Sequence, residues 1–268
     1  MNMDNQSTNQ LINYILHLAD DALILGHRNS EWCGHGPVLE QDIAITNISL
    51  DLIGQARNFF QYAARLINES SLPLSFGGDR GEVSEDTLAY LRDVRQFRNC
   101  LLVEQPNGDW AKTILRQFLF SSYQFYLYDQ LRNSNDETLA AIAEKSLKEV
   151  TYHLRWSSEW VIRLGDGTSE SHERILDAIN QLWMYTDELF APANYESRTA
   201  SVKTGIDVAL LRPNWEEKVK EIFVEATLPW PGAVFQQMGG KEGKHTEHLG
   251  YILAELQFMQ RAYPASEW

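Results

Sequence analysis

The chain has 268 residues, 44% hydrophobic and 22% charged, enough to bury a full core and too apolar for a disordered protein. Its 23 basic and 37 acidic side chains give a formal charge of −14, which argues against nucleic acid or an anionic membrane surface as main partner, because both need a basic footprint. No basic start leads into an apolar run and no stretch approaches the ~18 apolar residues a bilayer span needs, so neither a secretory signal nor a membrane anchor is expected. Cys33 and Cys100 are far apart without Cys-x-x-Cys spacing, so two reduced thiols are expected rather than a disulfide or thiolate metal site, with the cytoplasm as default compartment.

In chain order the elements read as helices. Residues 1–7 are polar and expected to fray. From Thr8 to His27, Leu11, Ile15, Leu18, Ala22 and Leu25 recur at helical spacing; Asp20 and Asp21 fall beside this seam, which therefore offers no inward carboxylate. Gly34, Gly36 and Pro37 break the helix. A long second helix follows over Val38 to Asn68, with Ile45, Ile48, Leu52, Gln55, Phe59, Tyr62 and Leu66 on one seam. Asn68 to Gly81 reads as a surface loop, and Glu85 to Asn99 as a short helix. On it Arg92, Arg95 and Arg98 would share a face, either a solvated salt-bridging face or a dock for an acidic partner.

Pro106-Asn107-Gly108 is a turn, and Asp109 a suitable N-cap. Trp110 to Leu131 carries the seam Ala111, Ile114, Phe118, Ser121, Phe125 and Tyr128. Glu137 to Leu164 carries Ala143, Leu147, Val150, Leu154, Ser157, Val161 and Leu164, with His153 and Trp160 on its flank; Gly165 and Gly167 stop it. Ser171 to Phe190 is amphipathic, 192–211 an ordered connection, and Asn214 to Leu228 a helix opened by Pro213. PWPG (229–232) ends it. GGKEGK (239–244) reads as a flexible loop, and His245 to Tyr263 as a last helix with Leu249, Leu253, Leu256 and Met259 inward. No run alternates with period two. The expected fold class is all-α: a four-helix bundle with additional helices, one domain over 1–268, its eight tryptophans serving as core and interface anchors.

Bundle metal proteins of the di-iron type place inward glutamates and two Glu-x-x-His pairs at mid-height. The chain has a single Glu-x-x-His, Glu242 to His245, and it straddles a glycine-rich loop. Glu149 and His153, one turn apart on a helix, could share a metal, but no second pair completes the set. At the centre stand Leu52, Gln55, Ser121 and Val150. Carboxylates gathered in a dry core need a cation to neutralise them, so a bundle that has lost the cation must also lose the carboxylates. The expectation is no metal, with Gln55, Ser121 and His153 as a small hydrogen-bonded remnant. No nucleophile elbow, phosphate-cradling loop or dinucleotide fingerprint is present.

The runs EWCGHGPVLEQDIA, SLDLIGQARNFF, RQFRNCLLVEQPNGD, LKEVTYHLRW and GGKEGKHTEHLGYILAELQ resemble the C subunits of the bacterial phenylacetyl-CoA epoxidases, from about Leu11 to the C-terminus. The resemblance implies a ferritin-like fold related to carboxylate-bridged di-iron oxygenases. It implies a non-catalytic structural component of a monooxygenase that epoxidises the ring of phenylacetyl-CoA in aerobic phenylacetate degradation. The partner would be the catalytic di-iron polypeptide of that complex, as a heterodimer or a dimer of heterodimers, with further epoxidase components; alone, a homodimer is open. Cofactors would sit elsewhere: di-iron in the catalytic partner, and NADPH, flavin and iron–sulfur in a reductase component.

Where that partner carries Asp-Glu-x-Gly-His, this chain has Asp51-Leu52-Ile53-Gly54-Gln55; where it carries Lys-Glu-Glu-x-x-His, this chain has Lys148 to His153, with Val150 at the second glutamate. The partner's inward aspartate falls at Ser121. Leu52, Gln55, Ser121 and Val150 thus stand at lost ligand positions and His153 is retained. Lys241, Lys244, His245 and His248, ahead of a helix N-terminus, are either exposed groups on a mobile loop or a contact to coenzyme A phosphates or an acidic partner. Two rival readings stay open: a metal-binding di-iron oxygenase or ferroxidase in its own right, and a stand-alone binding protein with a ligand in the bundle centre.

Overall fold

The computed structural model describes residues 5–70, 82–264 and 266. The loop expected over 68–81 therefore lies, from 71 on, outside the described residues, as do residues 1–4 of the expected frayed start. Helix α1 spans Asn5–Ser30, opening earlier than its apolar pattern, and α2 spans Leu39–Glu69. The short α3 (Glu85–Tyr90) and α4 (Leu101–Glu104) precede α5 (Trp110–Leu131) and α6 (Glu137–Gly165). Beyond them lie α7 (Ser169–Leu182), α8 (Asn194–Ser201), α9 (Arg212–Glu225), α10 (Glu247–Leu256) and α11 (Phe258–Ala262). No strand occurs among the described residues.

Helices α1 and α2 pack along each other, as do α5 and α6, and the crossover from α2 to α5 joins the two pairs in ferritin-like order. Helices α2 and α6 run antiparallel. Their cross-links step in opposite directions: Gln41 to Trp160, Asp51 to His153, Gln55 to Glu149 and Tyr62 to Asp136. Helix starts follow their caps, Asp109 accepting from the Lys112 amide and Asp136 from the Leu139 amide.

The seam residues Ile45, Ile48, Leu52, Gln55 and Phe59 of α2 are all 0–1% exposed. Helix α5 is buried almost all round, because α6, α7 and α9 pack along it and Asn29 of α1 bonds its Arg116 and Gln117 side chains. Two aromatic groups hold the flanks. Trp110 meets Trp32, Trp156 and Trp160 edge-on, and Trp183, Trp215, Trp230, Phe190 and Phe223 cluster under α9. Such pairs add about 0.5–1.5 kcal/mol each beyond area burial.

Four expectations fail, each for a physical reason. Asp20 and Asp21 are buried, because α1 is covered on its outer side by the segment 92–105 and by α8. The helix expected over Glu85 to Asn99 stops at Tyr90. Arg92 is wholly buried and paired with Asp20, stacked over Phe97, while the Arg98 amide donates to the same Asp20 carboxylate. The three arginines therefore share no face. The GGKEGK turn is clamped rather than flexible: a Cβ at Gly240 would lie 2.3 Å from the Asn99 carbonyl oxygen, and one at Gly243 2.4 Å from that of Arg95. Its glycines serve close approach. Finally, Met259 is exposed, because Gln257 turns the last helix by donating to the Ala89 and Arg92 carbonyls.

Candidate functional site

At mid-height of the bundle Leu52, Ser121, Val150 and His153 are fully buried and Gln55 nearly so. Gln55 donates from Nε2 to Glu149 Oε2 at 2.9 Å. Its carbonyl oxygen faces the Tyr128 hydroxyl at 3.5 Å, a weak contact. His153 Nε2 lies 2.9 Å from Asp51 Oδ2, and Ser121 Oγ accepts from Gln117 at 2.7 Å. The three groups expected to form one remnant thus take other partners and do not bond one another.

A di-iron centre needs four carboxylates and two imidazoles aimed at a common point. The groups at this level are two aliphatic side chains, a hydroxyl, an amide and one imidazole, whose Nε2 is on Asp51. Glu149 and His153, the pair spaced to share an ion, are turned to different residues of α2. This donor set does not fit a di-iron centre. Leu52 and Val150, each 0% exposed, offer no ligand atom at this level.

The second candidate group, around the GGKEGKHTEH run, is reorganised by burial. Lys241 is 3% exposed; its Nζ reaches both Glu196 oxygens at 3.1 and 3.0 Å and the carbonyls of Leu189 and Ala191. Burial alone would lower its pKa, but the adjacent Glu196 carboxylate outweighs that and raises it. His245 is buried as well, Nδ1 2.8 Å from Glu104 Oε2 and Nε2 3.1 Å from the Phe97 carbonyl. Neither Lys241 nor His245 can meet coenzyme A phosphates without breaking those bonds. Lys244 does present its charge to solvent, 3.5 Å from Glu242, and His248 is half-buried at the start of α10.

Sequence reasoning missed the network these residues belong to. Glu104 accepts from Asn99, His245 and the Thr246 amide and hydroxyl, which fixes the N-terminus of α10. Glu188 accepts the amides of Leu101, Gly239 and Gly240, and burial raises its pKa. The available signal was the adjacent pair Asp20-Asp21 inside an otherwise apolar run. Two neighbouring acids there leave at least one facing protein.

The whole of the chain, residues 1–268, matches the family model described as phenylacetic acid catabolic protein. The chain belongs to the phenylacetic acid catabolic protein family. Among its relatives is the C subunit of the 1,2-phenylacetyl-CoA epoxidase of Escherichia coli (strain K12), 47% identical over 260 residues, which is 97% of this chain and 100% of the relative. Members of this phenylacetic acid catabolic family share the ferritin-like helical fold seen here. No helix among the described residues is long and apolar enough to cross a membrane.

Proposed function

We propose that this chain is the non-catalytic, structural C subunit of a phenylacetyl-CoA epoxidase, a multicomponent monooxygenase acting in aerobic phenylacetate degradation in the cytoplasm. The observation that carries the reading is the pair Leu52 and Val150, aliphatic side chains where metal-binding bundles hold bridging glutamates, both wholly buried. Oxygen chemistry then belongs to a partner polypeptide of like fold carrying the di-iron centre, with electrons from NADPH through a flavin and iron–sulfur reductase.

A surface for that partner is available on α2. Leu39, Ile43, Leu50 and Ile53 recur along its outer face and are 72, 52, 61 and 41% exposed. Isolated exposed apolar residues are ordinary, but a row of them at helical spacing is the signature of a face that packs against another helix. Any contact from the GGKEGK turn to coenzyme A or a partner falls to Lys244 and His248.

The test is co-expression with the catalytic partner, followed by size exclusion, iron analysis and turnover with and without this chain. Expected are a stable complex, iron accompanying the partner chain, and epoxidation lost when this chain is omitted. Full turnover by the partner alone, or two irons bridged between Leu52, Ser121 and Val150, overturns the reading.

A further inference from the structure

A buried polar cluster lies outside the bundle centre, between α1, the segment 92–105, α8 and the 239–245 turn. His17 and Asp21 project into it from adjacent turns of α1, and Cys100 faces them; they are 0, 3 and 0% exposed. His17 Nδ1 lies 2.8 Å from the Arg98 carbonyl oxygen. A carbonyl only accepts, so Nδ1 carries a proton and Nε2 is the free nitrogen. That Nε2 points at Asp21 Oδ2, 3.6 Å away, and Glu196 Oε1, 3.5 Å away, and has no hydrogen-bond partner. Cys100 Sγ stands 3.7 Å from the same Asp21 oxygen. The donor atoms of His17, Asp21 and Cys100 all lie within 4.8 Å of one another.

His17 sits between two acids at separations longer than the roughly 2.7–2.9 Å of direct charge-assisted bonds. A neutral Nε2 would aim its lone pair at two carboxylate oxygens, which is repulsive. A protonated Nε2 would draw an acceptor to within about 3.2 Å. The His17–Asp21 and Asp21–Cys100 separations, 3.6 and 3.7 Å, are instead those between neighbouring ligands on a tetrahedral ion, where bonds of about 2.0–2.3 Å give edges of roughly 3.3–3.8 Å. Charge agrees. The Asp21 and Glu196 carboxylates and a Cys100 thiolate carry three negative charges, and Lys241, held on Glu196, supplies one positive charge. A divalent cation brings the sum to zero in a site where an unbalanced charge would be costly.

We propose that His17, Asp21 and Cys100 form a structural site for a divalent ion of the zinc type, with the Glu196 carboxylate beside His17. Imidazole with thiolate suits zinc or cobalt rather than magnesium or calcium, which take oxygen ligands throughout. The three ligands are 0–3% exposed, which keeps substrate from the ion, so the role is structural. The supporting contacts are those metal sites need: the Arg98 carbonyl fixes the His17 tautomer, the Cys100 amide donates to Asp21 Oδ1 at 2.7 Å, and Lys241 holds Glu196. The ion ties α1 to the 92–105 segment. The site uses no residue of α2 or α6 and is separate from the bundle centre.

Because the cluster is buried, loading must accompany folding. The full chain is produced in zinc- or cobalt-supplemented medium and purified without chelator. Elemental analysis then gives about one ion per chain, and the cobalt form shows sulfur-to-metal charge transfer with the visible bands of a tetrahedral ion. Cys33→Ser, which removes the exposed thiol, keeps both signals. Cys100→Ser abolishes the charge transfer, and it and His17→Gln each lower occupancy more than about tenfold. Circular dichroism verifies that each variant is folded; if either is not, the Cys33→Ser protein with its charge-transfer band still decides. Folded wild type without stoichiometric metal after loading overturns the site. So does charge transfer that disappears with Cys33, or occupancy unchanged in folded Cys100→Ser. Iron in the bundle centre would instead survive Cys100→Ser and lack the sulfur band, so the two readings fail separately.

Discussion

His153 on α6 and Asp51 on α2 meet at 2.9 Å, and one turn further along the same antiparallel pair Gln55 donates to Glu149 at the same distance. Two residues four apart on one helix thus cross-pair with two residues four apart on the other. In a metal-binding bundle side chains at this level converge on ions; here they converge on each other. The level is polar, and its charged and amide groups are spent on one another.

Asp51→Ala should therefore destabilise the chain by about 1–3 kcal/mol, the cost of leaving a buried polar group without its partner. His153 has no reserve, since its Nδ1 is already buried without a hydrogen bond. Asp51→Asn, which keeps an acceptor, should cost less. Urea unfolding of the two variants checks the order, and equal losses would show that the pair does not hold His153.

The interior at Leu52 and Val150 should reject restored carboxylates. Leu52→Glu together with Val150→Glu places two acids in a space now filled by aliphatic side chains, with no cation beside them. A loss above about 3 kcal/mol is expected, through desolvation and mutual repulsion, unless the acids stay protonated. Thermal unfolding at pH 5 and pH 8 reads this out: destabilisation should deepen at the higher pH, where the acids must ionise.

The bundle was legible because its four long seams repeat at helical spacing, so Leu52, Gln55, Ser121 and Val150 could be placed at the centre from periodicity alone. The covering layer was not. Arg92, Glu104, Glu188, Glu196 and Lys241 are charged residues, which pattern reading assigns to solvent, yet each is at most 3% exposed. Their burial follows from contacts between segments tens of residues apart, as in Asp20 with Arg92 or Lys241 with Glu196, and no local pattern encodes such a pairing. Glycines misled in the same way: the GGKEGK run signals freedom in sequence but serves tight packing in the fold.

His245 should make stability fall as pH rises from neutrality. Both ring nitrogens face acceptors, Glu104 and the Phe97 carbonyl, so the ring is held as the cation. Burial would lower its pKa, but Glu104 outweighs this and the value is raised above the ordinary histidine value of 6.5. The folded state therefore holds a proton that the unfolded chain releases. The contribution is complete below about pH 6.5 and is lost as pH rises through the elevated value, with a slope of at most about 1.4 kcal/mol per pH unit. In Glu104→Gln this segment of the stability–pH curve should flatten; an unchanged slope would assign the effect elsewhere.

Removing one member of the Lys241–Glu196 pair should cost more than removing both. Lys241→Met leaves a buried carboxylate unpaired, an effect of about 3–5 kcal/mol, whereas Lys241→Met with Glu196→Gln leaves no net charge and should recover part of the loss. Unfolding free energies of the single and double variants form the cycle. A double variant less stable than Lys241→Met would contradict charge pairing as the source.

The outer face of α2 gives the sharpest division between folding and assembly. Ile43 and Leu50 are 52 and 61% exposed. Replacing surface residues away from buried features changes stability by no more than about 0.5 kcal/mol. Ile43→Glu with Leu50→Glu should therefore melt within a few degrees of the wild type. If the face packs against the catalytic partner, the same two charges would be desolvated without partners on assembly. Copurification should then weaken by a hundredfold or more, from about 3 kcal/mol lost at the interface. A variant that is folded and still assembles normally would move the partner surface off α2.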